Sequence, residues 1–122
     1  MQTNRFSIKK RIKSFGYSLA GIRQFVKTQH NAWLEIGVAL LVIIAGFVLQ
    51  VEAIEWCFLL FAIGFVLVCE AFNTAIEFLV DLVSPQQNKL AGAVKDIAAG
   101  AVLLSACTAA AIGLIVFIPY IF

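Results

Sequence analysis

Three apolar runs, residues 36–51, 56–80 and 97–118, occupy most of this 122-residue chain and restrict it to a membrane fold. A spanning helix needs about 20 mainly apolar residues, with a lower limit near 17. The first run is slightly short until Trp33 and Leu34 are added, and Trp33 suits an interfacial anchor. The expected spans are residues 33–51, 54–81 and 96–118. Composition agrees: 62% of residues are hydrophobic and only 13% charged, whereas a soluble domain is about a quarter charged. The expected fold is an all-α membrane protein, one domain over residues 1–122, with three transmembrane helices after an N-terminal amphipathic surface helix at residues 5–28.

That surface helix is read from Ile8, Ile12, Phe15, Leu19, Ile22 and Val26, which recur at intervals of three and four. Arg5, Lys9, Lys10, Arg11, Lys13, Arg23 and Lys27 fill much of the remainder, seven of the nine basic residues in the chain. Such a helix lies in the headgroup plane. Because the basic stretch adjoins apolar spans, anionic headgroups are the expected contact and nucleic acid is not. A signal peptide fits poorly, since the basic region is too long and no small-residue cleavage site stands out. Tyr17 sits off the apolar stripe and, on the residues alone, reads as an interfacial aromatic. Residues 28–34 read as a linker to the first span.

Glu52 and Glu55 mark an acidic turn after the first span, and Ser84-Pro85-Gln-Gln-Asn-Lys89 breaks the helix after the second. Pro119 is expected to end the third. The positive-inside rule places the basic N-terminus and the Lys89/Lys95 loop in the cytoplasm, with the acidic turn and the C-terminus outside. Small residues crowd the first half of the third run and permit close helix contact, within one bundle or between copies.

The second run carries a ladder of polar residues near its far end. Glu70, Asn73, Glu77 and Asp81 are spaced by three, four and four residues. The three carboxylates fall within roughly 40° of one another on a helix, with Asn73 beside them. A charge inside a membrane helix costs on the order of 2.5 kcal/mol or more. A solvated helix end accounts for Asp81 and Glu77 but not for Glu70, which follows unbroken apolar sequence. The ladder therefore calls for a cation, a basic side chain or a polar ligand.

Oxygen donors suit Mg²⁺, which usually combines one or two carboxylates with phosphate oxygens and water. Lys95 can neutralise a phosphate, and a deeper carboxylate can serve as a general base toward an alcohol. Phosphoryl transfer from a cytoplasmic nucleotide to a membrane alcohol is thus permitted; a proton or cation pathway could use the same carboxylates. The lone His30 argues against a His-ligated zinc site or a Ser-His-Asp triad, and no glycine-rich phosphate loop is present. Cys57, Cys69 and Cys107 have neither metal-ligand spacing nor a disulfide framework and read as buried small hydrophobes.

The stretch Glu70-Ala-Phe-Asn73-Thr-Ala-Ile-Glu77-Phe-Leu-Val-Asp81, followed by Ala93-Val-Lys95-Asp96, resembles the prokaryotic diacylglycerol kinase family, which includes undecaprenol kinases. The resemblance runs from Lys13-Ser-Phe-Gly-Tyr17 through the third span. It implies a small lipid kinase of the bacterial inner membrane that uses ATP and Mg²⁺ and forms a homotrimer with shared active sites. By this resemblance Glu70 is the catalytic base beside the lipid substrate, and Glu77 a ligand of the magnesium ion of the nucleotide. Asn73, Asp81, Lys95 and Asp96 correspond to nucleotide-site residues, as do loop residues Gln86, Gln87 and Asn88. Tyr17 corresponds to a nucleotide-contacting tyrosine, against its reading as an interfacial aromatic, and Lys10 or Arg11 to a further basic contact.

One position departs from the family pattern. Gln29 stands where a metal-binding and nucleotide-binding glutamate is usual; an amide oxygen can still ligate Mg²⁺, without the charge. Weaker metal binding or a catalytically weakened homologue are the readings this leaves open beside an active enzyme. Asn73-Thr-Ala-Ile-Glu77, Ala98-Ala-Gly-Ala-Val-Leu-Leu104 and Gly113-Leu-Ile-Val-Phe-Ile-Pro119 are more similar to the undecaprenol branch than to the diacylglycerol branch. The alternative outside this family is a non-enzymatic bundle that conducts ions or protons.

Overall fold

The computed structural model describes residues 6–122, which form four helices: α1 (Ile8–Thr28), α2 (His30–Leu49), α3 (Ala53–Val83) and α4 (Lys89–Ile121). The last three are long and apolar enough to cross a membrane. At 1.5 Å per residue they measure about 30, 46 and 50 Å. Leu41, Val48, Phe61, Leu103 and Ile115 are among the many large apolar side chains exposed on the single chain. Helices that are apolar all round belong in lipid or against other helices.

Each helix end has a local cause. Ser7 caps α1 by accepting from the Lys10 N–H at 3.4 Å. Arg5, where the expected helix begins, lies outside the described residues. The expected linker over residues 28–34 shrinks to Gln29, whose extended backbone (φ −113°, ψ 113°) separates α1 from α2. Polar residues 30–31 join the helix because its first-turn N–H groups lack helical partners anyway. α2 closes at Gln50, in the left-handed conformation with φ 54°. The Val51 N–H then reaches the Gly46 carbonyl at 3.1 Å, as in a Schellman ending. Glu52 and Glu55 form a capping box that starts α3, so the acidic turn is also a helix start.

Asn88 caps α4 by accepting from the N–H groups of Leu90 and Ala91 at 2.8 and 3.4 Å. This begins the helix seven residues earlier than the expected residue 96. Pro119 does not end α4, which runs on to Ile121. So near the terminus a proline removes a single intrahelical bond, and the Phe122 N–H closes the last turn on the Ile118 carbonyl at 3.0 Å.

α3 and α4 pack more extensively than any other pair. Leu59, Ala62, Glu70 and Thr74 of α3 and Ala98, Ser105 and Val116 of α4 are buried. Small residues at Ala98 and Ser105 allow the close approach. Near the α2–α3 turn, Val51, Leu59 and Val116 form a small apolar core with Trp56 and Phe117 against it. The Trp56 ring there lies where a side chain on Gly46 would be, 2.5 Å from the Cβ position. The cysteines are not buried as expected: Cys57 and Cys107 are exposed and Cys69 is half-buried, all as free thiols on the single chain. The narrow helix seams take alanine, serine and threonine, and leave the thiols on outward faces.

Candidate active site

The acidic ladder forms a gradient of exposure along α3. Glu70 is buried, with 4% of its surface exposed. Glu77 is half-buried, and the Asp81 side chain is 63% exposed. About three helical turns thus separate a carboxylate inside the bundle from one at its edge.

The intermediate step is tied by hydrogen bonds. Asn73 Nδ2 donates to Glu77 Oε1 at 3.2 Å, while Asn73 Oδ1 is buried without a partner. Just beneath, the Thr74 hydroxyl donates to the Glu70 carbonyl at 3.0 Å. At the outer step, Lys95 of α4 reaches across the turn to Asp81, Nζ to Oδ1 2.6 Å. Asp81, Gln86, Gln87, Asn88 and Lys95 line one cavity of about 530 Å³ at the α3–α4 turn. Five expected site residues, from the end of α3, the turn and the start of α4, are therefore brought together. Asp96 is exposed next to Lys95.

The expected contacts from α1 are not assembled in the single chain. Lys10, Arg11 and Tyr17 are exposed, with the Arg11 guanidinium 5.3 Å above the Phe6 ring. Among the described residues no hydrogen bond or ion pair joins them to the ladder. α1 instead meets α3 through a shallow cavity between Gly21, Gln24, Phe25 and Thr74, Ala75, Phe78. Gln29 sits at the α1–α2 break, where its backbone N–H bonds to the Phe25 carbonyl at 3.1 Å.

Sequence reading gave Glu35 of α2 no role, yet its Oε2 is buried without a hydrogen-bond partner. Glu35 is also the one charged residue lining an apolar groove of about 440 Å³ between α2, α3 and α4. The available signal was an ionisable residue at the edge of an apolar span, which by itself marks a functional position.

The donor set fits magnesium carried by a nucleotide. Glu77 and the unpartnered Asn73 Oδ1 are hard oxygen donors, and Mg²⁺ takes one or two carboxylates with phosphate oxygens and water completing the shell. No group of three or more His, Cys, Asp or Glu side chains able to hold a metal occurs among the described residues.

A membrane helix bundle with this ladder defines a class, and comparison with known proteins gives its family. The prokaryotic diacylglycerol kinase profile matches residues 16–117. The undecaprenol kinase of Bacillus subtilis is 38% identical over 97% of this chain and 92% of its own length. The diacylglycerol kinase of Escherichia coli K12 is 33% identical over 86% of each chain. That of Synechocystis is 38% identical over 87% of this chain but only 61% of its own length. The chain belongs to the prokaryotic diacylglycerol kinase family and is a lipid kinase.

Proposed function

We propose that this chain transfers the γ-phosphoryl group of ATP to the hydroxyl of a membrane lipid alcohol, with undecaprenol as substrate and diacylglycerol as the alternative. The exposure gradient along α3 carries the reading. A lipid hydroxyl arrives from within the bilayer, where Glu70 is buried; a nucleotide arrives from water, where Asp81 and Lys95 border the turn cavity. Glu70 accepts the hydroxyl proton as the lipid oxygen bonds to the γ-phosphorus and ADP departs. Lys95 neutralises phosphate charge once it exchanges Asp81 for the nucleotide. Asn73, Glu77 and Gln29 would hold Mg²⁺ with the phosphates; the metal supplies charge stabilisation to phosphoryl transfer. Lys10, Arg11, Tyr17, Gln86, Gln87, Asn88 and Asp96 complete the nucleotide contacts. Because α1 does not reach the ladder in one chain, its basic end serves a site shared within a homotrimer.

The N-terminus and the α3–α4 turn face the cytoplasm of the bacterial inner membrane, and the Glu52/Glu55 turn and C-terminus face outside. α1 lies in the headgroup plane in this reading, a placement supported by its exposed Ile8, Ile12, Phe15 and Leu19. The preference for undecaprenol is supported by the fuller match to the relative of that name, 97% of this chain and 92% of its own length, since the Synechocystis diacylglycerol kinase is equally identical at 38% but over less of both. The test is phosphate transfer from ATP by purified protein offered both lipids, with and without Mg²⁺. Mg²⁺-dependent transfer favouring undecaprenol is expected, and faster transfer to diacylglycerol would reassign the substrate. No transfer to either, with cation flux in liposomes, would favour an ion-conducting bundle.

A further inference from the structure

α1 and α3 meet at a cavity of about 210 Å³, between Gly21, Gln24 and Phe25 on one side and Thr74, Ala75 and Phe78 on the other. Apolar surface with a few fixed polar groups is the usual lining of a small-molecule site. Thr74 is its buried polar member, 4% exposed. The Thr74 hydroxyl donates its hydrogen to the Glu70 carbonyl at 3.0 Å, and its oxygen keeps lone pairs that can accept. Gln24, exposed on α1, brings an amide to the same cavity. Glu70 lies four residues before Thr74 and so one turn along the same stripe of α3. Gly21 leaves the space beside it open, since a Cβ there meets no atom within 4 Å.

A lipid alcohol carries its hydroxyl at the level of the headgroups. To reach Glu70 it passes the helix that lies in that plane, and this cavity is where that helix meets α3. We infer that the α1–α3 cavity admits the hydroxyl end of the lipid alcohol to Glu70, and that Gly21 determines which alcohols enter. This rests on Glu70 being the base and on α1 lying among the headgroups. Diacylglycerol carries an ester branch on the carbon beside its hydroxymethyl group. An isoprenoid alcohol has a flat double bond there and is the slimmer of the two, so a narrow entrance favours it.

The experiment compares Gly21→Ala, Gly21→Leu and Glu70→Gln with the parent, offering each lipid separately and measuring KM for ATP and thermal unfolding alongside. Gly21→Leu fills the entrance and lowers kcat/KM for both lipids by about 10–200-fold, with KM for ATP and the unfolding temperature unchanged. Gly21→Ala narrows it, so transfer to diacylglycerol falls more than transfer to undecaprenol. Parent-like kcat/KM for both lipids in Gly21→Leu overturns the inference, as does a rise in KM for ATP as large as the loss toward lipid. An equal loss toward both lipids in Gly21→Ala removes Gly21 as the selector. Normal turnover in Glu70→Gln is a different failure, that of the base, and takes away the destination of this path. If Gly21→Leu does not fold, Ala75→Leu fills the cavity from the α3 side, and full lipid turnover there overturns the inference equally.

Discussion

Lys95 and Asp81 close the α3–α4 turn with a contact of 2.6 Å between Nζ and Oδ1, although both side chains remain substantially exposed at 41% and 63%. An ion pair so open to solvent adds only about 0–1 kcal/mol. Lys95→Ala is therefore expected to leave the unfolding temperature in detergent almost unchanged while raising KM for ATP. A large loss of thermal stability with normal KM would instead make the pair a structural clasp.

The two central carboxylates should separate kinetically. Glu70→Gln removes a base, and general-base assistance contributes roughly 10²–10⁴-fold; turnover falls by that order with nucleotide affinity nearly unchanged. Glu77→Gln weakens the metal site, so the Mg²⁺ and ATP requirements rise as well. Titration of turnover against ATP, lipid and Mg²⁺ decides. Equal loss of nucleotide binding in both variants would merge the two roles.

Gln29 offers the reverse experiment. Gln29→Glu adds a charge at the break between α1 and α2, and the expected result is half-maximal turnover at a lower Mg²⁺ concentration. An unchanged Mg²⁺ requirement would detach Gln29 from the metal.

Gly46 tests packing far from the chemistry. A Cβ there would lie 2.5 Å from the Trp56 ring, and overpacking typically costs about 1–3 kcal/mol. Gly46→Ala should lower the unfolding temperature, and Trp56→Leu in the same chain should restore part of it. Equal stability of Gly46→Ala and parent would show that the ring moves aside freely.

Shared sites can be detected by mixing subunits. Glu70→Gln and Lys95→Ala chains, each impaired alone at limiting ATP, should recover activity together in mixed trimers if the two residues serve one site from different copies. Verified mixed trimers with no recovery would place both in a single copy's share.

The ladder was legible in sequence because helical spacing alone puts Glu70, Glu77 and Asp81 on one face, and the apolar run before Glu70 foretells its burial. The Ser84-Pro85 break made the turn legible, but only the family resemblance singled out Gln86 to Asn88 within it. The α1–α2 junction was not: a polar run at a helix start resembles a linker, and only the backbone at Gln29 locates the break. Pro119 misled because a proline near a chain end has little helix left to disrupt. Glu35 was visible as a charge but not as a buried one, since its place in the groove depends on how α2 lies against α3 and α4. Lys10, Arg11 and Tyr17 are exposed on the single chain, and no contact with the ladder shows among the described residues.

α3 is longer than a bilayer is thick. Counted from Ala53, Glu70 lies about 26 Å and Glu77 about 36 Å along an upright helix, either side of the roughly 30 Å hydrocarbon depth. If Glu70 and Glu77 act as proposed, acyl-chain length in the surrounding lipid becomes a reaction variable: lipids a few ångströms longer would draw the Glu77 step toward oil, where a hydrated nucleotide is excluded, and shorter ones would bring water toward Glu70.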